Sequence, residues 1–110
     1  MVLDDGARLE KRMYVNVLYD LYAPLLTERQ RNVYEMRYFL DLSFVEISEV
    51  LAISRQAAHI LVNRTVERLL TLEKNLSFAA RLERLEKRIE ELEAPSGKFK
   101  EKIPQEKRDV

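Results

Sequence analysis

Residues 42–68, LSFVEISEVLAISRQAAHILVNRTVER, form the stretch that decides the fold. Ser43 lies three residues before Glu46, the spacing of a capping box, in which each side chain accepts a hydrogen bond from the other residue's backbone N–H. Ser54 gives the start signal of a second helix, directly after a short turn at residues 51–53. Together these signals predict a helix-turn-helix, in which two short helices cross steeply around a three-residue turn.

The apolar residues of these two helices recur at helical spacing, so each helix has one inward face. The inward residues are Phe44, Ile47 and Leu51 in the first helix and Ala58, Leu61, Thr65 and Leu69 in the second. The turn is unusual, because Ala52 occupies the middle position, where glycine often takes a positive φ. Alanine in that conformation costs about 1 kcal/mol, so either the strain is tolerated or the turn has a different shape.

The outward face of the second helix carries side chains suited to nucleic acid. The start of such a helix directs backbone donors and a positive dipole end toward phosphate, while its outward side chains reach base edges. Arginine can pair with guanine and glutamine with adenine. The predicted nucleic-acid-binding residues are Ser54, Arg55, Gln56, His59, Asn63 and Arg64.

The rest of the chain predicts three more helices and an all-α fold. One helix spans residues 8–23 and ends at a proline, since the residue before a proline avoids helical angles. Another spans residues 27–39, opens with a capping box of Thr27 and Gln30, and places Val33, Met36 and Leu40 on one face. A fifth, heavily charged helix follows a break at Ser77, which we expect to cap its start, and ends near residue 93.

The predicted architecture is therefore a five-helix bundle with a long C-terminal helix. We expect a single helical domain at residues 8–94, a disordered N-terminus at residues 1–7 and a polar, disordered tail at residues 95–110. With 46% hydrophobic and 35% charged residues and only two glycines, the composition favours a helical, water-soluble protein.

Two apolar stripes indicate a partner subunit. In the first helix, Leu9, Met13, Val17 and Leu21 lie beside other large residues, which predicts burial against both the core and a partner chain. In the fifth helix, an apolar seam of two heptads is too short to stand alone as a coiled coil, so we expect it to dock on the first helix or on another subunit. We predict a homodimer. The seam residues are Leu82, Leu85, Ile89 and Leu92.

Other functional classes lack the residues that they need. One His, no Cys and no clustered carboxylates at ligand spacing predict no metal or other cofactor. Both glycines lie outside the helical core, so a glycine-rich phosphate-binding loop is not expected. Because no set of catalytic residues stands out either, we do not expect an enzyme. No apolar run approaches the ~18 residues of a membrane span, and no signal peptide is evident. The lack of Cys is compatible with the cytoplasm, the expected location.

The charge distribution supports nucleic-acid binding only weakly. The net charge is zero, with six Lys/Arg against nine Asp/Glu in residues 1–53 and four against two in residues 54–75. The basic excess therefore falls on the second helix of the motif, and again on residues 95–110. Strong DNA-binding modules usually have a clearer basic footprint.

Residues 25–69 resemble the fourth region of bacterial sigma factors, and residues 8–80 resemble more closely the YlxM-like family of small bacterial proteins. The segments shared with sigma factors are Leu26-Thr27-Glu28-Arg29-Gln30, Leu42-Ser43, Glu46-Ile47-Ser48-Glu49 and Ile53-Ser54-Arg55-Gln56. The marks of the YlxM-like family are Tyr22-Ala23, Leu25-Leu26-Thr27, Gln30, Ser43, Glu46-Ile47, Ile53-Ser54-Arg55-Gln56-Ala57 and Arg64. The resemblance implies a sigma-like helix-turn-helix protein encoded beside signal recognition particle genes. It also implies a regulatory role in that targeting pathway, which rests mainly on gene proximity.

Two functions are open at this point. The first is a regulator that binds DNA or the signal recognition particle RNA. The second is a protein-interaction module, in which the helix-turn-helix scaffold binds a protein component of the targeting machinery without touching DNA. The second is motivated by Ala57 and Ile60, which stand where sigma-type recognition helices usually carry polar or basic side chains.

Overall fold

The computed structural model describes residues 2–93, with side chains from residue 6 onward, and all regular structure among them is helical. The elements are α1 (Val2–Tyr22), a 3-10 turn (Ala23–Leu25), α2 (Glu28–Tyr34), a π-helical turn (Glu35–Phe39), α3 (Phe44–Leu51), α4 (Arg55–Leu76) and α5 (Phe78–Glu93). The all-α prediction is confirmed for this part of the chain.

The first helix is longer than its apolar pattern indicated. α1 begins at Val2 and not at Arg8, so residues 2–7, which we predicted to be disordered, are helical. Apolar periodicity locates only the part of a helix that packs on something. A helical end outside the apolar pattern gives no such signal, which is why the predicted start is six residues late.

The helical pattern breaks at Ser77, as predicted. Ser77 takes the left-handed conformation at φ 58° and its N–H donates to the carbonyl of Glu73 at 2.7 Å, so it ends α4, whereas we predicted it to cap the start of α5. The chain divides there into two compact units, Met1–Ser77 and Phe78–Val110. A single helical domain over residues 8–94 stays a prediction. The predicted tail at residues 95–110 lies outside the described residues.

α4 is the central element of the first unit, because α1, α2 and α3 all pack on it. Ala58, Thr65 and Leu69 are fully buried, which confirms three of the four predicted inward residues. The fourth, Leu61, is half-buried, and Val62, which we did not predict, is 2% exposed. The buried Thr65 hydroxyl donates to the carbonyl of Leu61 at 2.9 Å. The one polar group in this face is therefore satisfied by the helix itself and needs no partner from another helix.

α1 buries one face and exposes the other. The buried residues are Val15, Leu18, Tyr19 and Tyr22. The exposed apolar residues are Leu9, Met13, Tyr14 and Val17. Burial against the core of the subunit is thus present on one side only, and burial of the second side by a partner chain stays a prediction.

A π-helical turn at the end of α2 changes the direction of the chain before α3. The N–H of Leu40 donates to the carbonyl of Glu35 at 2.9 Å, a span one residue longer than in an α-helix. The additional residue rotates Leu40 away from the face that contains Val33 and Met36, and Leu40 is 66% exposed. We predicted that Leu40 would share that face, and this prediction is wrong.

Arg12 of α1 holds this turn in place. Its Nη2 donates to the carbonyls of Arg37 at 3.2 Å and Tyr38 at 3.3 Å, and lies 3.4 Å from a carboxylate oxygen of Asp41. The guanidinium also stacks over the Tyr38 ring, 4.7 Å from its centroid. Asp41 lies just before α3 and takes the left-handed conformation. The contacts of Arg12 therefore hold the segment that leads into α3.

Three stacked tyrosines join α1 to the same turn. The Tyr19 and Tyr34 rings lie 4.3 Å apart, and the Tyr34 and Tyr38 rings 4.5 Å apart. The Tyr34 hydroxyl donates to Asn16, and the Tyr19 hydroxyl donates to a carboxylate oxygen of Glu35 at 2.5 Å. Burial, helped by the bond to Glu35, raises the pKa of Tyr19 from 10.0 to about 12. Burial also raises the pKa of Tyr34.

The raised pKa of Tyr19 predicts a loss of stability in alkali. A group whose pKa is higher in the folded state stabilises the fold below its unfolded pKa and loses that contribution as the pH rises toward the folded value. The free energy of unfolding should therefore fall between pH 10 and pH 12 more steeply in the wild type than in Tyr19→Phe. Urea unfolding followed by circular dichroism measures this difference. The exposed Tyr14 of the same helix gives the control: Tyr14→Phe should keep the steep fall.

Candidate nucleic-acid interface

Hydrogen bonds at both helix starts confirm the predicted helix-turn-helix. Ser43 Oγ accepts from the N–H of Glu46 at 3.1 Å, and Glu46 Oε1 accepts from the N–H of Ser43 at 2.7 Å. Ser54 Oγ accepts from the N–H of Ala57 at 3.0 Å. Between the helices, Ala52 is left-handed, with φ 58° and ψ 45°. The usual turn shape is therefore kept, and alanine tolerates the strain.

A chain of side-chain contacts holds α4 against α3. Arg37 Nη1 donates to the carbonyl of Leu42 at 2.9 Å, and its guanidinium lies 4.4 Å from the centroid of the Phe44 ring. The other neighbour of Phe44 is the His59 ring, which meets it edge to face with centroids 4.4 Å apart. Through these contacts, the π turn sets the position of Phe44, and Phe44 sets the position of His59.

All six predicted nucleic-acid-binding residues are exposed, but three of them already have contacts. Ser54 Oγ caps α4, although its hydroxyl hydrogen can still donate. His59 Nδ1 lies 3.4 Å from Asn63 Nδ2 on the next turn. The other three, whose side chains make no hydrogen bond or ion pair with residues 6–93, are Arg55, Gln56 and Arg64.

An apolar groove lies beside these residues. It has a volume of about 350 Å³ and is lined by Arg29, Ile53, Ala57, Ile60, Leu61 and Arg64. Ala57 is half-buried in it, and Ile60 is 42% exposed. The two residues that depart from the sigma pattern thus form part of the lining of this groove, together with the arginines of α2 and α4. A ligand that combines negative charge with small apolar groups matches such a surface, and a duplex with thymine methyl groups is one example.

Arg29 is the residue of this surface that the sequence did not assign. It stands in the first turn of α2, where the predicted capping box is confirmed: Thr27 Oγ1 accepts from the N–H of Gln30 at 3.1 Å, and Gln30 Oε1 accepts from the N–H of Thr27 at 3.0 Å. Only the packing of α2 on α4 brings Arg29 to the same groove as Arg64. In the sequence, Arg29 was marked only by its place in the segment that resembles sigma factors. That resemblance does not show that Arg29 lies close to Arg64 in the fold.

Within the part of the chain that the structure describes, no three His, Cys, Asp or Glu residues are grouped so as to hold a metal ion. Among residues 2–93, no helix has both the length and the apolar character needed to cross a membrane.

Comparison with known proteins agrees with this geometry. The model of the UPF0122 family, described as "Putative helix-turn-helix protein, YlxM / p13 like", matches residues 9–109. The chain belongs to this family. The predicted YlxM-like resemblance is thereby confirmed, and the family description agrees with the helix-turn-helix seen in the structure.

Individual UPF0122 proteins are similar over most of the chain. A UPF0122 protein of Clostridium botulinum is 43% identical over 81 residues, which is 74% of each protein. Those of Oceanobacillus iheyensis and Geobacillus kaustophilus are 40% and 42% identical over 84 residues. These matches cover 76% of this chain and 80% and 76% of the two relatives.

The left-handed Ala52 predicts that glycine would stabilise the motif. Glycine adopts φ 58° without the clash that an alanine Cβ makes. Ala52→Gly should therefore raise the free energy of unfolding by about 0.5–1 kcal/mol, measured by urea titration. Ala57→Gly, inside α4, is the matched control and should lower it by about 1 kcal/mol. A less stable Ala52→Gly variant would contradict the turn geometry.

The Ser54 cap predicts local loosening of the start of α4. Ser54→Ala removes the acceptor of the Ala57 N–H and should lower the free energy of unfolding by about 1 kcal/mol. Amide hydrogen exchange at residues 55–57 should accelerate at the same time. Ser54→Asn, which keeps a good capping oxygen, should restore both quantities. Equal stability of the alanine variant and the wild type would show that the cap contributes nothing.

Proposed function

We propose that this UPF0122 protein is a cytoplasmic, nucleic-acid-binding regulator that takes part in the signal recognition particle targeting pathway. One observation carries the binding proposal: Arg55, Gln56 and Arg64 are exposed on the second helix of a helix-turn-helix, with no polar partner among residues 6–93. In this motif the second helix enters the major groove and its first residues contact base edges. Support for the pathway comes from the family resemblance.

The chemistry of five of the predicted side chains suggests what each would contact in a nucleic acid. Arg55 and Gln56 lie in the first turn of α4, where arginine can bind guanine and glutamine can bind adenine in two-bond pairs. The Ser54 hydroxyl can donate to a phosphate at the positive end of the α4 dipole. Asn63 can exchange its contact with the neighbouring imidazole for an adenine edge. Arg64 is placed to bind the backbone.

A DNA duplex fits this surface better than an RNA duplex. The major groove of B-DNA admits an α-helix, whereas the corresponding groove of an RNA duplex is too deep and narrow for side chains to read. Signal recognition particle RNA is the second target of the proposal. It would be bound through its phosphates and shape, for which Arg29 and Arg64 at the edge of the groove are suited.

We further infer that the regulator acts as a homodimer. α1 keeps an apolar face exposed, and α5 exposes its apolar seam as well. A two-fold dimer presents the same helix-turn-helix twice and suits a palindromic site. The proposed interface residues of α5 are Leu82, Leu85, Ile89 and Leu92.

The apolar groove favours a second candidate function. A surface lined by Ile53, Ala57 and Ile60 together with Arg29 and Arg64 also matches an acidic, partly apolar segment of a protein. In that case the scaffold would bind a protein component of the targeting machinery without direct contact to DNA. Sequence-independent phosphate binding would then be weak, as the small basic excess of residues 54–75 allows.

Removal of two arginines tests the nucleic-acid proposal. Arg55→Ala with Arg64→Ala should abolish retention on duplex DNA or on signal recognition particle RNA at physiological salt. In the binding that remains at lower salt, the slope of log affinity against log salt should become shallower by about 1, because Arg64 is the lost phosphate contact, and loss of the Arg55 contact to guanine should relax the sequence preference. Lys74→Ala removes an exposed cation from the far end of the same helix and is the control. Unchanged binding in the double variant would overturn the proposal.

A pull-down from bacterial lysate, with and without nuclease, separates the two functions. A nucleic-acid-binding regulator should lose its captured partners after nuclease treatment, and the protein-module proposal then fails. A protein-interaction module should keep them, and Ile60→Asn, which changes the groove lining, should release them. The Lys74→Ala variant again serves as the matched control, because Lys74 does not line the groove.

A further inference from the structure

α5 presents a row of large aliphatic side chains to solvent. Leu82, Leu85, Ile89 and Leu92 are 44%, 57%, 53% and 72% exposed. They are separated by three, four and three residues, the alternation of the a and d positions of a coiled coil. Leu82 and Ile89 take the a positions, and the other two take the d positions.

The charges that flank this seam are sorted by sign. In a heptad, the position before a and the position after d lie on opposite sides of the seam. Arg81 and Arg88 occupy one side, and together with Arg84 and Leu85 they line one shallow depression of α5. The opposite side carries acidic residues, which are Glu86 and Glu93.

The outward face of α5 shows the opposite arrangement. Glu83, Lys87 and Glu91 follow one another at four-residue spacing with alternating sign. Neighbours of opposite charge at this spacing stabilise a helix that stands in water. The mixed pattern on this face is therefore complete within a single chain and needs no partner.

Sorted flanks, by contrast, are unfavourable in an isolated helix. Arg84 and Arg88 are like charges at four-residue spacing, and so are Glu86 and Glu90. Like charges at this spacing repel and destabilise the helix. Opposite charge from outside α5 would offset this repulsion, so the partner that fits the seam best supplies an acidic side and a basic side.

We propose that the partner is a second copy of this chain, with the two α5 helices parallel and in register. Two-fold rotation about an axis along the helices places the basic side of one seam against the acidic side of the other. Arg81 then faces Glu86 of the partner subunit, and Arg88 faces Glu93 of the partner subunit. The symmetry repeats each pair, so the interface holds four Arg–Glu pairs.

The reverse orientation is disfavoured by the same charges. In an antiparallel two-fold pair, each flank meets its own copy, so that Arg81 and Arg88 face arginines and Glu86 and Glu93 face glutamates. The apolar seam points to two strands as well, because a β-branched residue at an a position, Ile89, with leucine at the d positions Leu85 and Leu92 favours a parallel dimer over larger bundles.

This inference rests on the homodimer proposed above and is independent of nucleic-acid binding. Charge reversal tests it by sedimentation velocity over a concentration series. Arg81→Glu with Arg88→Glu makes both flanks acidic and should weaken the dimer on the order of tenfold or more. Adding Glu86→Arg and Glu93→Arg to the same chain restores every pair with its sign reversed, and should return the dimer Kd to that of the wild type. In an antiparallel dimer, like charges face each other in the wild type and in both variants, so neither set of substitutions should change the dimer Kd.

A single cysteine tests the orientation without relying on charge. Because the chain has no cysteine, Leu92→Cys introduces the only thiol. A parallel, in-register pair brings the two copies of residue 92 together, so mild oxidation should give a disulfide-linked dimer on a non-reducing gel. Glu91→Cys, on the outward face, is the control and should not cross-link. If Leu92→Cys cross-links only when mixed with Leu82→Cys, the helices are antiparallel and the inference is overturned.

The outcomes separate this inference from the proposals on which it builds. A wild-type monomer at every concentration would refute the homodimer and the α5 pairing together, and would leave the Arg55 and Arg64 test unaffected. A wild-type dimer whose Kd ignores the charge reversal would refute the α5 pairing alone. A weakened double variant, a restored fourfold variant and a Leu92→Cys cross-link together support parallel pairing.

Discussion

Burial of one side of α4 is the constraint on which the rest of residues 1–77 depends. α1, α2 and α3 all pack on that side, and complete burial of a large aliphatic residue such as Leu69 contributes about 1.5–3 kcal/mol. Rotation of α4 would expose Val62 and Leu69, so the helix has one stable orientation. The outward position of Arg55 and Gln56 is therefore a consequence of core packing and needs no contact of its own.

Three residues at the ends of helical segments take a backbone conformation that is usual for glycine. Asp41, Ala52 and Ser77 all have φ near 60°, and none is glycine. Aspartate tolerates this conformation, whereas alanine carries strain of about 1 kcal/mol. A capping box at each of α2 and α3 contributes a compensating gain of similar size. The free energy gained from the capping boxes at the helix starts thus offsets the backbone strain at the helix ends.

The features that could be predicted from sequence are those whose physical cause is local. Ser43, Ser54 and Thr27 each bond a backbone N–H three residues away, so a short pattern contains both partners. The inward face of α4 was equally accessible, because it depends on the spacing of apolar residues along one helix. All-α structure and the boundaries of the motif follow from these two kinds of signal.

The features that were missed depend on contacts between distant parts of the chain. Arg12 fixes the π turn through carbonyls of Arg37 and Tyr38, which no periodicity in α1 announces. The exposure of Leu40 follows from that turn, and Arg29 meets the groove only because α2 packs on α4. Tertiary contacts of this kind leave no repeat in the sequence, so the spacing of residues predicts the scaffold and only part of the surface.

Two marginal surfaces can support each other. The basic excess of one subunit is small, and a seam of two heptads is short. In the proposed dimer, the second helix-turn-helix engages a nearby half-site as an intramolecular step, which raises overall affinity without any new contact. Linkage is reciprocal, so a duplex with two half-sites stabilises the pairing of α5 by the same free energy. Binding and dimerisation would then appear together over a narrow concentration range, which is a property that a regulator can use.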